Sequence, residues 1–196
     1  FRSRVSILSD LLDGVVIEEE LLQKLEIQCS SPWVLLTIRS AQPTNTVTQE
    51  NMVRLMMGTM IPCIPLIYRD SVNCLVSEDR AEEMIRKLLR KEDLRYYIAV
   101  ISMPFEELSE IRIRHQQNLF CIQKNDSQAG LYYSNITSMA YALQLTRDTA
   151  PKGALLHPAL PVLKKYDAEN DSKLYDSLYY YLLYERSLQK GADAVH

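Results

Sequence analysis

The sequence predicts an α+β protein, on two observations. Four short runs rich in branched apolar residues, Pro32–Ser40, Cys63–Tyr68, Val72–Ser77 and Tyr96–Ser102, read as strands. Segments with apolar residues every three or four positions follow the first and third runs, whereas only "RDS" (Arg69–Ser71) lies between the second and third, which reads as a hairpin. The resulting order places helices on one face of an antiparallel sheet, the ferredoxin-like βαββαβ arrangement.

The elements follow in chain order. Val5, Leu8, Leu11 and Leu12 recur at helical spacing, and Gly14 stands where a C-terminal cap belongs. A second helix is predicted from about Ile17 to Leu25, with Glu18, Glu19 and Glu20 in the first turn, where the helix dipole favours acids. Pro32–Ser40 is nearly all apolar, as a strand buried on both faces would be. Thr46 and Gln49 have capping-box spacing, and Met52, Leu55, Met56 and Met60 form the stripe behind them. Asp79 opens a helix with Ala81, Met84, Ile85, Leu88 and Leu89 inward, while Glu82–Arg86 and Glu83–Lys87 mark the opposite face as solvated. A further helix runs from Phe105 to about Asn118, and its Arg112, Arg114 and His115 read as a solvated face rather than an anion site. "GLYYS" predicts an edge strand at Gly130–Ser134, before a short helix near Ser138–Leu145.

The chain has 196 residues, 47% hydrophobic and 24% charged, which suits one domain with an appendage or two small ones. Its formal charge of -3 creates no general basic field for nucleic acid or acidic membranes. No apolar run nears the roughly 18–20 residues that span a bilayer, and the opening at Phe1 lacks a signal-peptide layout. The chain therefore reads as an excerpt of a longer cytoplasmic protein. Cys29, Cys63, Cys74 and Cys121 are scattered, as are His115, His157 and His196, so reduced cysteines are predicted and no metal or cofactor is expected. The sequon Asn135-Ile136-Thr137 carries no meaning in such a chain. No Ser-His-Asp or Cys-His set and no phosphate-cradling glycine loop argues for an enzyme.

A boundary falls at "TRDTAPKGALLHPALP" (Thr146–Pro161), where glycine and proline punctuate the chain. The predicted organisation is N-terminal helices over 1–30, a core domain over 31–146, a linker over 147–156 and a helical unit over 157–196. In the last, Pro158 and Pro161 fit a first helical turn, and Asp171 or Ser172 can cap the next helix. That helix is expected to carry Leu174, Leu178, Tyr181 and Leu182 inward. Tyr184–Arg186 make a turn, Ser187 can cap another helix, and Leu188, Ala192 and Val195 form its apolar stripe. The tyrosines of "YDSLYYYLLYE" (Tyr175–Glu185) read as core or interface rather than base-stacking groups.

The 40-residue stretch His157–His196, with its His-Pro-Ala-Leu opening, Tyr166-Asp167 pair, Tyr181-Leu182 and central Ala192, resembles the start of a known unit. It is similar to the C-terminal helix-turn-helix of the PucR-like and sugar-diacid (CdaR-like) bacterial transcription regulators. The resemblance implies that Ser187, Leu188, Gly191, Ala192, Val195 and His196 belong to a DNA-binding unit whose recognition helix would begin just after His196. Small residues at Gly191-Ala192 suit the close crossing of helices there. It also implies a GGDEF-like domain upstream. The hairpin Tyr68–Cys74, where a cyclase carries its glycines and metal-holding carboxylates, has no glycine pair and the single carboxylate Asp70, so no cyclase activity is expected.

The regulator implied by the resemblance would be cytoplasmic, bind DNA when complete, answer to an unidentified small-molecule effector and form a homodimer. Residues 157–196 carry five Lys or Arg against six Asp or Glu, so this stretch alone is expected to bind DNA weakly or not at all. Two other readings stand beside it. One is a sensor whose ligand pocket is lined by Arg69 and Asp70. The other is a scaffold that dimerises, with Phe1–Leu12 either pairing with its twin or packing on its own sheet.

Overall fold

The structure is a computed structural model, and it describes residues 3–26, 30–41, 46–91, 96–125, 128–149, 157–184 and 187–195. The chain divides into two compact units, Phe1–Leu143 and Gln144–His196. The protein is α+β.

The first unit is built on a five-stranded sheet of order β2-β3-β1-β4-β5. Its strands are β1 (Trp33–Ser40), β2 (Cys63–Tyr68), β3 (Ser71–Ser77), β4 (Tyr97–Ile101) and β5 (Gly130–Tyr133). β1 runs antiparallel to β3 and β4, and β2 antiparallel to β3, whereas β5 lies parallel to β4. A parallel neighbour needs a crossover, and α5 (Ile111–Lys124) supplies it.

Strand alternation sends side chains to two faces. Val34, Leu36 and Ile38 of β1, with Val72, Cys74 and Val76 of β3, meet Met52 and Met56 of α3 (Thr46–Met57) and Met84, Ile85 and Leu88 of α4 (Glu78–Lys91). On the other face Leu35, Ile64, Leu66 and Leu75 pack under Ile7, Leu8, Leu11 and Leu12 of α1 (Arg4–Asp13) and Ile111 of α5, with Leu25 of α2 (Glu19–Glu26) in the same cluster. Ile98 and Val100 lie against Cys121 and Ile122 further along α5. Helices therefore cover both faces, not one as the element order had suggested. That double cover is why β1 is almost continuously apolar.

Several element ends differ from the reading above for local reasons. Ser3 caps α1, accepting a 3.2 Å bond from the Ser6 N–H, and Gly14 closes it in the left-handed conformation at φ 82°. The Arg112 side chain occupies the space a Cβ at Gly14 would need. Helix α3 stops at Met57, so Met60 is not part of its stripe: it takes φ 60° and is 90% exposed. The buried Thr59 hydroxyl donates to the Met56 carbonyl at 2.7 Å and so holds this end. The Thr46 and Leu89 side chains lie outside the described residues.

The helix after β4 does not start at Phe105. That residue instead bridges to Trp33, with Trp33 N donating to Phe105 O at 2.8 Å and Phe105 N to Trp33 O at 2.9 Å. A 3-10 turn at Leu108–Glu110 then leads into α5, which runs on to Lys124. On the outer side of α4, Lys87 meets Glu83 at 2.9 Å, while Arg86 donates to the Glu82 carbonyl at 3.4 Å rather than to its carboxylate.

The second unit carries α7 (Ala159–Asn170), α8 (Leu174–Leu183) and α9 (Leu188–Val195); α6 spans Ser138–Thr149. No helix among the described residues is long and apolar enough to cross a membrane.

Candidate functional site

The β2–β3 hairpin turns on two residues, Arg69 and Asp70, because Tyr68 pairs directly with Ser71. Arg69 adopts φ 56°, the left-handed conformation that so tight a connection demands. Its guanidinium lies over the Tyr68 ring, 5.1 Å from the centroid. Asp70 is engaged elsewhere, in a 2.6 Å ion pair with Arg39 that is about half exposed. Asp70 also lines a small pocket with Ile38, Ser40, Gln49, Met52, Val72 and Tyr97, whose free space of about 10 Å³ has room for roughly one water. Arg69 does not line it. The two predicted ligand-binding residues thus have different partners, Tyr68 for Arg69 and Arg39 for Asp70.

Behind the turn lies a cluster that the sequence reading missed. The Tyr68 hydroxyl donates to Asp13 Oδ1 at 2.5 Å and so ties β2 to the end of α1. Burial, and then the Asp13 carboxylate, push this hydroxyl above its ordinary pKa. The His115 ring stands edge-on to Tyr68, with centroids 5.4 Å apart and planes at 81°. His115 is only 4% exposed, and its Nε2 has no hydrogen-bond partner. Burial, then the Arg69 charge, lower its pKa to about 4, against a smaller opposing effect of Asp70. His115 is therefore buried and neutral, which corrects its assignment to a solvated face. The signal was present: Ile111, His115, Asn118 and Ile122 fall at i, i+4, i+7 and i+11, one stripe of a helix. Of the charged neighbours only Arg112 is exposed; Arg114 is mostly buried as well, 16% exposed, and pairs with Glu110 at 2.5 Å, so the solvated-face reading is corrected for it too.

A row of buried polar groups continues from this cluster under α5. Asn118 Nδ2 donates to the Leu35 carbonyl at 2.9 Å and to Thr37 Oγ1 at 3.0 Å. Thr37 Oγ1 donates to Asn73 Oδ1 at 2.8 Å, and Asn73 Nδ2 to Ser71 Oγ at 3.1 Å. These bonds fix how α5 lies across β1 and β3. They are positioning contacts, since hydroxyls and amides of this kind hold one another rather than a reacting atom. Among the described residues no group of three or more His, Cys, Asp or Glu could hold a metal ion.

In the second unit the junction between α7 and α8 rests on one carboxylate. Asp167 Oδ1 accepts from the Leu174 N–H at 3.0 Å and from the Ser172 hydroxyl at 2.6 Å, while Oδ2 accepts from the Tyr175 N–H at 2.7 Å. The Ser172 hydroxyl, then the two N–H groups, hold Asp167 below the usual carboxylate range. The cap of α8 is thus Asp167, reaching across from the preceding helix, and neither Asp171 nor Ser172 fills that role directly. Asp171 closes α7 at φ 49°, and Ser172 braces the cap. Replacing Asp167 by Ala is expected to fray the first turn of α8, speeding amide exchange at Leu174 and Tyr175 on the order of fivefold. Unchanged exchange at both would show that the cap contributes nothing.

The apolar side chains of α8 do not point into a core as expected: Leu174, Leu178 and Leu182 are 46, 37 and 58% exposed. Leu188 of α9 is 78% exposed, and Ala192 is exposed too. Tyrosines here contact one another instead: Tyr179 meets Tyr180 edge-on at 5.3 Å, and Tyr180 stacks on Tyr184, just past the helix, at 6.2 Å. Ser187 stands just before α9, its N–H donating to the Tyr184 carbonyl at 3.0 Å. The burial of Gly191, the side chain of Val195 and all of His196 lie outside the described residues. In comparisons with known proteins, no family model matches the chain and no curated protein matches it.

Proposed function

We propose that this chain is part of a cytoplasmic bacterial transcription regulator similar to the PucR-like and CdaR-like proteins. In this reading the first unit is a ferredoxin-like, degenerate GGDEF-like domain that relays a signal from an unidentified small-molecule effector, or dimerises. The second unit supplies the opening helices of a helix-turn-helix. It is a regulator, not an enzyme.

The observation that carries the proposal is the row of exposed apolar residues Leu174, Leu178, Leu182 and Leu188 along α8 and α9. An apolar surface of this kind on two successive helices suits a further helix laid across it. The antiparallel order β2-β3-β1-β4, with α3 and α4 on one face, supports the ferredoxin-like core. The engagement of Asp70 by Arg39 supports a hairpin that has left metal-dependent nucleotide chemistry behind.

The test compares DNA binding by this chain with binding by the same chain extended past His196 through its recognition helix. Both meet the regulator's own promoter region at one salt concentration. The proposal expects the extended chain to bind and this one to bind weakly or not at all. If neither binds at low salt, the DNA reading is lost and a sensor or scaffold takes its place.

A further inference from the structure

Helix α6 is anchored on one side and exposed on the other. Tyr141 is buried: its ring lies 5.4 Å from that of Phe120 on α5, and its hydroxyl donates to Gln116 Oε1 at 3.2 Å. These contacts fix the rotation of α6 about its own axis. Met139 stands two positions before Tyr141, about 200° round the helix, and so faces outward. Ile136 lies in the 3-10 turn (Ser134–Thr137) that leads straight into α6. With Met139, Ala140 and Leu143 it follows the spacing i, i+3, i+4 and i+7, a single stripe. Ile136 and Met139 are 77 and 72% exposed, and Ala140 and Leu143 are exposed too.

The surroundings of this stripe carry no charge. From Gln128 to Thr146 the chain has no Asp, Glu, Lys, Arg or His, whereas 24% of the whole sequence is charged. The exposed leucines of α8 differ, because Lys173 and Asp176 stand beside Leu174 in the chain. Loss of charge from an exposed apolar surface, with methionine among its residues, is the composition of an interface core. We propose that Ile136, Met139, Ala140 and Leu143 form a dimerisation surface, on which α6 of a second copy of this chain packs across a two-fold axis.

The occupant has to be as free of charge as the stripe, since a charged group laid on it would lose its water and find no counter-ion. The same stripe of a second copy meets that condition. Ala140 is the small residue at which two helices can approach closely, and Met139 is flexible enough to fill the space beside the crossing. A two-fold needs only this one patch, because each copy offers what the other requires. One helix face is a small interface, so the dimer is weak, with a Kd on the order of 10–100 µM. The surface serves the dimerisation of the first unit proposed above and does not rest on the DNA reading.

The test is sedimentation equilibrium of this chain over a concentration series from about 1 µM to 1 mM, which brackets that affinity. A reversible monomer–dimer equilibrium is expected. Met139→Glu and, separately, Ile136→Glu are each expected to weaken it at least about tenfold. Circular dichroism of both should match the wild type, because both side chains are already exposed. Val16→Glu, at an apolar residue 95% exposed and away from α6, is expected to leave dimerisation unchanged. Mixing Met139→Glu with Met139→Lys is expected to restore association above that of either alone, since the two patches face each other. A chain that stays monomeric throughout, including one whose own second unit covers the stripe, overturns the proposal. So does a dimer that Met139→Glu and Ile136→Glu leave intact. Neither result touches the DNA reading, whose test needs promoter DNA.

Discussion

Acidification from pH 7 to pH 4 is expected to cost the first unit about 3 kcal/mol through His115 alone. The folded-state pKa of this buried imidazole is about 4, below its ordinary 6.5. Between those values the unfolded chain binds a proton that the folded chain refuses. Stability from this group is therefore nearly whole above pH 6.5, falls as the pH drops through 4, and levels off about one pH unit below that. Urea unfolding at pH 7, 5.5 and 4.5 measures the slope. His115→Gln, which cannot charge, is expected to flatten it, and subtracting the two curves removes what carboxylates contribute in both. Parallel curves would mean that His115 protonates without penalty and that the site is wetter than its 4% exposure indicates.

Leu75→Ala is expected to destabilise the first unit by about 2–5 kcal/mol. Leu75 is fully buried on β3, directly opposite Leu35 of β1 on one side and Ile64 of β2 on the other. Truncation leaves a cavity beneath α1 that neither neighbour can fill, because both are fixed by the strand ladders. The matched control is Leu188→Ala in the second unit, where 78% of the side chain is already exposed and a change within about 0.5 kcal/mol is expected. Chemical denaturation of both variants checks the contrast. A loss under about 1 kcal/mol for Leu75→Ala would show that α1 can settle into the gap.

Legibility in the sequence depended on how many forces acted on each residue. The strands were readable because helices cover both faces, which leaves little room for polar residues in β1 and β3. The start of α5 was not, since Phe105 has the right spacing for a helix but gains more by bridging to Trp33, 72 positions away in the chain. His115 lay on a visible apolar stripe, and the arginines beside it masked that stripe. Asp167 could not be found by looking for a cap immediately before α8, because the carboxylate comes from the previous helix. The hairpin residues Arg69 and Asp70 were located correctly as a turn, but only coordinates show that one covers Tyr68 and the other pairs with Arg39.

The central place of β1 has a consequence for synthesis on the ribosome. Its hydrogen-bonding partners on both sides, β3 and β4, lie later in the chain, and β4 ends roughly 60 residues after Ser40. At about 5–20 residues per second, translation leaves the apolar run Trp33–Ser40 incompletely paired for on the order of 3–12 s. The β2–β3 hairpin, whose contacts are local, can form within that interval and offer one waiting edge. The nascent chain thus has the hairpin as its first partner for β1, until Tyr97–Ile101 emerges to close the other side.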